Sequence, residues 1–147
     1  MNARIEAAEH YQKALKAGRK IQRQRIHQGL YPYLEVLDEI LEDYETSGQE
    51  DLGVIEIPAD KIVGTKTAGR TNAFAANFMP FLPEDSEFGI KWRKLCEAHL
   101  SDEGLRDPIS CYEFLGRFYV QEGNKRVSVL KYFGATAVYG YVIRILP

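Results

Sequence analysis

Hydrophobic positions recur at helical spacing in the first third of the chain and gather into short strand-like runs in the last third. Residues 5 to about 26 are rich in Ala, Lys, Gln and Arg, all good helix formers. The apolar positions there (Ile5, Ala8, Leu15, Ile21, Ile26) are sparse, which predicts a helix that packs on one narrow face. Gly29 and Pro32 punctuate the chain. Tyr33, Val36, Leu37, Ile40, Leu41 and Tyr44 then recur every three or four residues, predicting a second amphipathic helix from about 32 to 44. The polar run 46–51 reads as a linker. Residues 1–48 are therefore expected to form a helical pair appended to the main domain.

Beyond the linker, residues 54–57 predict a short strand stopped by Pro58, and Ile62-Val63 a second that ends in the loop 64–70. A helix is expected through 72–78, broken by Pro80 and Pro83. Asp85 or Ser86 can cap the next one, with Ile90, Leu95, Cys96 and Leu100 on its buried side and Gly104 past its end. Residues 109–114 and 117–121 read as a hairpin joined at Leu115-Gly116. A short helix over 127–133 follows, with Gly134 where a C-terminal cap belongs, and then a β-rich run over 138–146. This order predicts an α+β fold, a small mixed sheet with flanking helices, preceded by the helical pair. A strand running up to Pro147 suggests that the natural chain continues.

A length of 147 residues suffices for one core. The apolar share of 45% is ordinary for a globular protein, and a net charge of -2 argues against a dedicated nucleic-acid binder, which usually carries a strong positive charge. Cys96 and Cys111 sit in no CxxC pair and near no histidine at ligand spacing, so no metal site is expected and the thiols read as unpaired in a reducing compartment. With neither an apolar leader core nor a run of membrane-spanning length, the expectation is a cytoplasmic chain with no membrane partner.

The chemistry gathers at Glu122-Gly123-Asn124-Lys125-Arg126, between the strand around Val120 and a helix starting near Val127. A helix start offers unpaired N–H groups and the positive end of the peptide dipoles. Gly123 permits a tight turn and close approach of a phosphate, and Asn124 can cap. Lys125 and Arg126 add two cationic donors, Arg126 as a planar fork suited to phosphate oxygens. As bare pattern, this is equally a capped helix start with two solvated cations.

The surrounding run, residues 116–135, closely resembles the ParB/sulfiredoxin superfamily, the N-terminal ParB-like domain. In that family a strand enters an acidic-Gly-Asn-His-Arg type turn and then a short helix ending in Gly. Gly123, Asn124 and Arg126 match, and Lys125 replaces the commoner His. Residues 55–62 resemble the opening strand with its P-x-D-x-I turn, residues 104–109 the G-x-x-x-P-I step, and residues 140–143 the closing strand. The resemblance covers about 53–147, with a helical insertion at about 71–100. It implies a small α/β unit that holds a nucleotide, ATP or CTP with magnesium, its phosphates on Gly123, Asn124, Lys125 and Arg126. It also implies a further phosphate contact from Arg70.

The subfamilies differ from this chain at informative positions. Sulfiredoxins carry a catalytic cysteine where Asn124 stands, partitioning ParB proteins carry Glu-Arg-Arg after the glycine, and free-serine kinases carry His-Thr-Arg. The chain thus reads as a separate branch of the superfamily. Glu122 keeps an acidic position that in such kinases precedes the glycine. It is the candidate catalytic carboxylate, able to activate a hydroxyl or help hold magnesium. The favoured reading is that it orients Arg126.

Two functional expectations follow: a nucleotide-binding domain, regulatory or part of a larger protein, or a protein- or DNA-interaction module of the same fold. A phosphotransferase or nuclease ranks third, and whether the chain is an enzyme stays open. Nucleic acid is the less favoured partner. Lys13, Lys16, Lys20 and Arg23 share one helical face, but Asp38, Glu39, Glu42 and Asp43 of the expected next helix would offset them. His10, His27 and His99 are scattered and read as packing or surface residues, whereas Thr65, Lys66 and Thr67 are able to donate hydrogen bonds to a ligand.

Overall fold

α1 (Ala3–His27) forms where helix-forming residues dominate, capped by Asn2, whose side chain accepts from the Ile5 amide at 3.0 Å. The computed structural model describes residues 2–101 and 104–147, without the side chains of Arg70 and Thr71. The buried stripe of α1 is Ala7, Tyr11, Ala14, Leu15 and Gly18, while Ile5 and Ile26 lie exposed. Small residues at these positions let α1 approach its neighbours closely; a Cβ on Gly18 would collide with the Pro80 carbonyl. Tyr11 is fully buried and its hydroxyl donates to the Leu82 carbonyl.

The expected helical pair is not formed. Residues 32–44 hold instead a two-residue strand, β1 (Glu35–Val36), followed at once by the short α2 (Leu37–Leu41). The same apolar spacing serves both outcomes. Val36 and Leu37 are buried, while β1 hydrogen-bonds in parallel to β3 (Ile62–Thr65), Glu35 opposite Gly64. Gly64 is required there, because any Cβ would run into the Glu35 carbonyl. The helical partner of α1 is α3 (Glu87–Leu100), far along the chain. The polar run read as a linker is also structured. Gly48, Gln49, Glu50 and Asp51 begin β2 (Gly48–Pro58) and pair with β6 (Ala137–Leu146), Gly48 opposite Leu146. Their polarity is that of an edge strand facing solvent.

Six strands form one mixed sheet in the order β1-β3-β5-β4-β6-β2. β4 (Ile109–Phe114) and β5 (Arg117–Glu122) make the predicted hairpin across Leu115 and Gly116. Glu113 holds that turn: its carboxylate accepts from the Gly116 amide at 2.7 Å and from Arg144 Nε at 2.7 Å. β3 runs parallel to β5, and β4 parallel to β6. Strand alternation sends Val120, Ile109, Cys111 and Val142 to one face, where they join Tyr11, Trp92 and Val127 in the main core. Tyr119, Phe114 and Ile145 face the other way, against Leu37 of α2. Among the described residues the fold is α+β, four helices on a six-stranded mixed sheet. No described helix is long and apolar enough to cross a membrane.

α3 is capped as expected by Ser86, whose hydroxyl accepts from the Gly89 amide at 3.0 Å. Its buried side is Phe88, Gly89, Trp92 and Cys96; Ile90 points to solvent. Trp92 joins three helices: its Nε1 donates to Ser128 Oγ of α4 (Asn124–Tyr132) at 2.9 Å, and its ring meets Tyr11 and Tyr132 edge-on. The helix expected over 72–78 is absent. A single 3-10 segment, Ala68–Ala73, leads into an irregular stretch closed by the Ala75 amide donating to Met79 O at 2.8 Å. Phe78 there adopts a φ of 68°, which no α-helix accommodates.

Candidate phosphate-binding cavity

β5 ends at Glu122 and α4 begins only two residues later, at Asn124. The turn fits in one residue because Gly123 takes φ 107°, ψ 21°, in the region that favours glycine. The helix thus starts three residues before the expected Val127, and the cap is Gly123 rather than Asn124. Asn124, Lys125 and Arg126 become the first turn, and the first intrahelical bond runs from the Val127 amide to Gly123 O at 2.9 Å. N–H groups of a first turn have no acceptor inside the helix, and a glycine cap supplies no side-chain oxygen. That turn contains no acidic residue, so nothing there offsets the positive end of the helix dipole.

This turn opens on a cavity of about 560 Å³. Gln121, Glu122, Gly123, Asn124, Lys125 and Arg126 line one side. Thr65, Thr67 and Gly69 come from the segment leaving β3, which parallel pairing sets beside β5. Lys91, Lys94 and Leu95 of α3 also line the space, and the almost fully buried Leu34 and Phe74 lie at its base. The four predicted phosphate-binding residues are therefore brought together on one concave surface, with Glu122 at the end of the strand that leads to them. Lys66, by contrast, is not in the lining: it pairs with Asp38 and lies over the Tyr112 ring. The side chain of Arg70 lies outside the described residues.

Local bonding explains the positions of the lining groups. Thr65 Oγ1 donates to Val120 O at 3.2 Å, which leaves its oxygen to accept from Asn124 Nδ2 at 3.5 Å. Asn124 Oδ1 is then buried without a hydrogen-bond partner. Arg126 donates to the Asp107 carbonyl at 3.1 Å and folds back over Gly123, within 3.2 Å of where a Cβ would stand. A backbone carbonyl, not Glu122, orients this guanidinium, and among the described residues no carboxylate pairs with it. Lys125 extends toward α3, its ammonium 5.4 Å from the Phe88 ring centroid. Glu122 is exposed and is the carboxylate among the lining residues.

Lys91 and Lys94 escaped the sequence reading because α3 was read for its apolar face alone. Their spacing of three residues on a capped helix was the available signal. The basic residues of α1 do share a face, but among the described residues the acidic helix expected to offset it is not set against it. Lys13, Lys16, Lys20 and Arg23 are exposed, α1 packs against α3, and the acidic Asp38 and Glu35 pair with Lys66 and Arg117. His10 and His99 are packing residues: His10 Nδ1 lies 2.8 Å from the Tyr132 hydroxyl, and His99 stacks on Phe133. Among the described residues, no three His, Cys, Asp or Glu side chains group closely enough to hold a metal ion.

Both cysteines are buried away from the cavity lining. Burial pushes the Cys96 thiol up to about 11 and the Cys111 thiol up to about 12. Since the thiolate is the reactive form, neither is equipped for nucleophilic chemistry near neutral pH. Both are expected to resist iodoacetamide in the folded protein at pH 8 and to alkylate fully in denaturant. Rapid labelling of native protein, read by mass, would show that this packing is wrong.

Neither a family model, nor a curated protein, nor a solved structure matches the chain.

Proposed function

We propose that this cavity binds the phosphates of a nucleotide, ATP or CTP with magnesium, in a domain related to the ParB/sulfiredoxin superfamily. The observation that supports this most directly is the junction of an uncapped helix start with four cationic side chains in one concavity. Among the described residues Lys91, Lys94, Lys125 and Arg126 line the space, with Glu122 as the one carboxylate in the lining. Backbone N–H groups and a favourable dipole suit an anion at such a helix start, and a pocket of this volume suits a small organic ligand. Leu95, partly buried, is the apolar lining group against which a base could lie, backed by the core residues Leu34 and Phe74. Magnesium would arrive bound to the phosphates, as it usually keeps most of its water and takes few protein ligands. Glu122 is the carboxylate placed to meet it or, in a phosphotransferase, to accept a proton from a hydroxyl. The competing reading, an interaction module working through α1, is favoured by the exposed basic face but leaves the cavity without a role.

Thermal shift and calorimetry with ATP, ADP and CTP in magnesium test the proposal. A ligand at a hundred times its Kd stabilises by about 2.7 kcal/mol. For a chain of this size that raises Tm by roughly 2–4 °C per kcal/mol. Arg126→Ala is expected to abolish the shift and leave the ligand-free Tm within about 1 °C, because its hydrogen-bond partner is an exposed backbone carbonyl. A flat response of the wild type to every common nucleotide would remove the reading.

A further inference from the structure

The cavity has a second basic wall, on a helix that takes no part in the strand-turn-helix corner. Lys91 and Lys94 lie one turn apart on α3 and line the same cavity as the first turn of α4. One contact joins the two walls. Lys125 of α4 extends to the ring of Phe88 in the first turn of α3, and Phe88, Lys91 and Leu95 follow at the i, i+3, i+7 spacing of one helical face. Leu95 of that face also lines the cavity.

Charge then bears on what the ligand must be. Among the described residues the lining carries four cationic side chains and one carboxylate, beside the positive end of the α4 dipole. A monophosphate brings about −1.5 to −2 at neutral pH, and the α4 corner alone can match it. Each further phosphate adds negative charge that, among the described residues, the α3 wall is placed to meet. Lys91 is engaged with Glu87 at 2.8 Å, but this is a solvent-exposed pair within one helix, of the kind readily exchanged for a stronger partner.

We propose that Lys91 and Lys94 are the binding residues for the outer phosphates of the ligand, which makes the cavity a site for nucleoside di- and triphosphates in preference to monophosphates. The inference takes the location of the ligand from the nucleotide reading above. The inner phosphate rests on the α4 turn, the chain of phosphates runs toward α3, and α3 acts as the sensor of phosphate number. Lysine suits that task, since a flexible point charge can follow either a second or a third phosphate.

The test is calorimetry on the full chain with AMP, ADP, ATP and inorganic tripolyphosphate, each with magnesium. It compares the wild type with Lys91→Ala/Lys94→Ala and Lys91→Arg/Lys94→Arg. Wild-type affinity is expected to rise at least tenfold from AMP to ATP. The double alanine variant should lose at least tenfold for ATP and tripolyphosphate and less than about threefold for AMP. The double arginine variant should retain most of the preference, and all three proteins should share one ligand-free Tm because both lysines are exposed. Equal losses for AMP and ATP, or an unchanged ATP affinity in the alanine variant, would overturn the assignment. Tripolyphosphate binding that depends on these lysines, without any nucleotide binding, would uphold the polyphosphate wall and remove the nucleotide. Absence of binding to all four ligands would remove both.

Discussion

Trp92→Ala is expected to cost about 3–5 kcal/mol of folding free energy, the usual range for emptying a fully buried aromatic site. Trp92 is completely buried, and its loss would leave a void where α1, α3 and α4 meet. The edge-on contacts to Tyr11 and Tyr132 would go with it, and so would the partner of Ser128 Oγ, which is itself buried. A domain of this kind has about 5–15 kcal/mol in total, so the variant should sit close to unfolding at 37 °C. Trp92→Phe retains most of the ring and should lose less, chiefly the hydrogen bond to Ser128. Urea denaturation of the two variants beside the wild type gives the ordering. A loss below about 1 kcal/mol for the alanine variant would mean that the three helices do not close over the sheet as described.

Gly123→Ala is expected to damage both stability and ligand binding, a combination that separates it from Arg126→Ala. At φ 107° an alanine is strained, and its Cβ would stand 2.6 Å from Ile109 Cγ2. Holding a side chain in such a region costs about 1–3 kcal/mol. The relief available is to turn the peptide at the start of α4, which re-aims the N–H groups of the first turn, or to push Arg126 off the Asp107 carbonyl. Either change removes the arrangement that faces the cavity. Asparagine, which often substitutes for glycine in left-handed turns near φ +57°, should not rescue this position, whose φ lies well outside that basin. Melting curves with and without ATP measure both effects. A variant with unchanged Tm and an unchanged ATP shift would show that the glycine is dispensable.

The elements legible in the sequence are those whose reasons are local. The β4–β5 hairpin announces itself by alternation and by Leu115-Gly116, which adopt left-handed φ values of 51° and 82°. Ser86 caps α3 because a hydroxyl one residue before the helix can reach an amide three residues on. Gly134, with φ 80°, follows α4 as expected. The elements misread have causes elsewhere in the chain. Residues 32–44 carry a helical period, yet Glu35 and Val36 become a strand because β3 offers an open edge and Gly64 lets them approach. Residues 46–51 look like a linker because nothing in their composition reports that β6 runs alongside. The 72–78 helix yields to packing: Phe74 and Phe78 are both buried, and the chain bends at Phe78 to place them.

The candidate site divides in the same way. Residues 122–126 could be read as an anion-binding corner from the sequence, because glycine, helix start and cations are contiguous and their chemistry is a matter of neighbouring backbone. The sequence alone therefore determined where the proposed phosphate contact falls. Only the tertiary structure decided that the grip faces a cavity, that Thr65 stands beside Asn124, that Asp107 rather than Glu122 orients Arg126, and that α3 brings Lys91 and Lys94 to the same space. The physical reason is range. Capping and turn conformation act over three or four residues, whereas a cavity is the gap left when α3 and the β3–β5 edge pack on one core. No short window of sequence contains that gap.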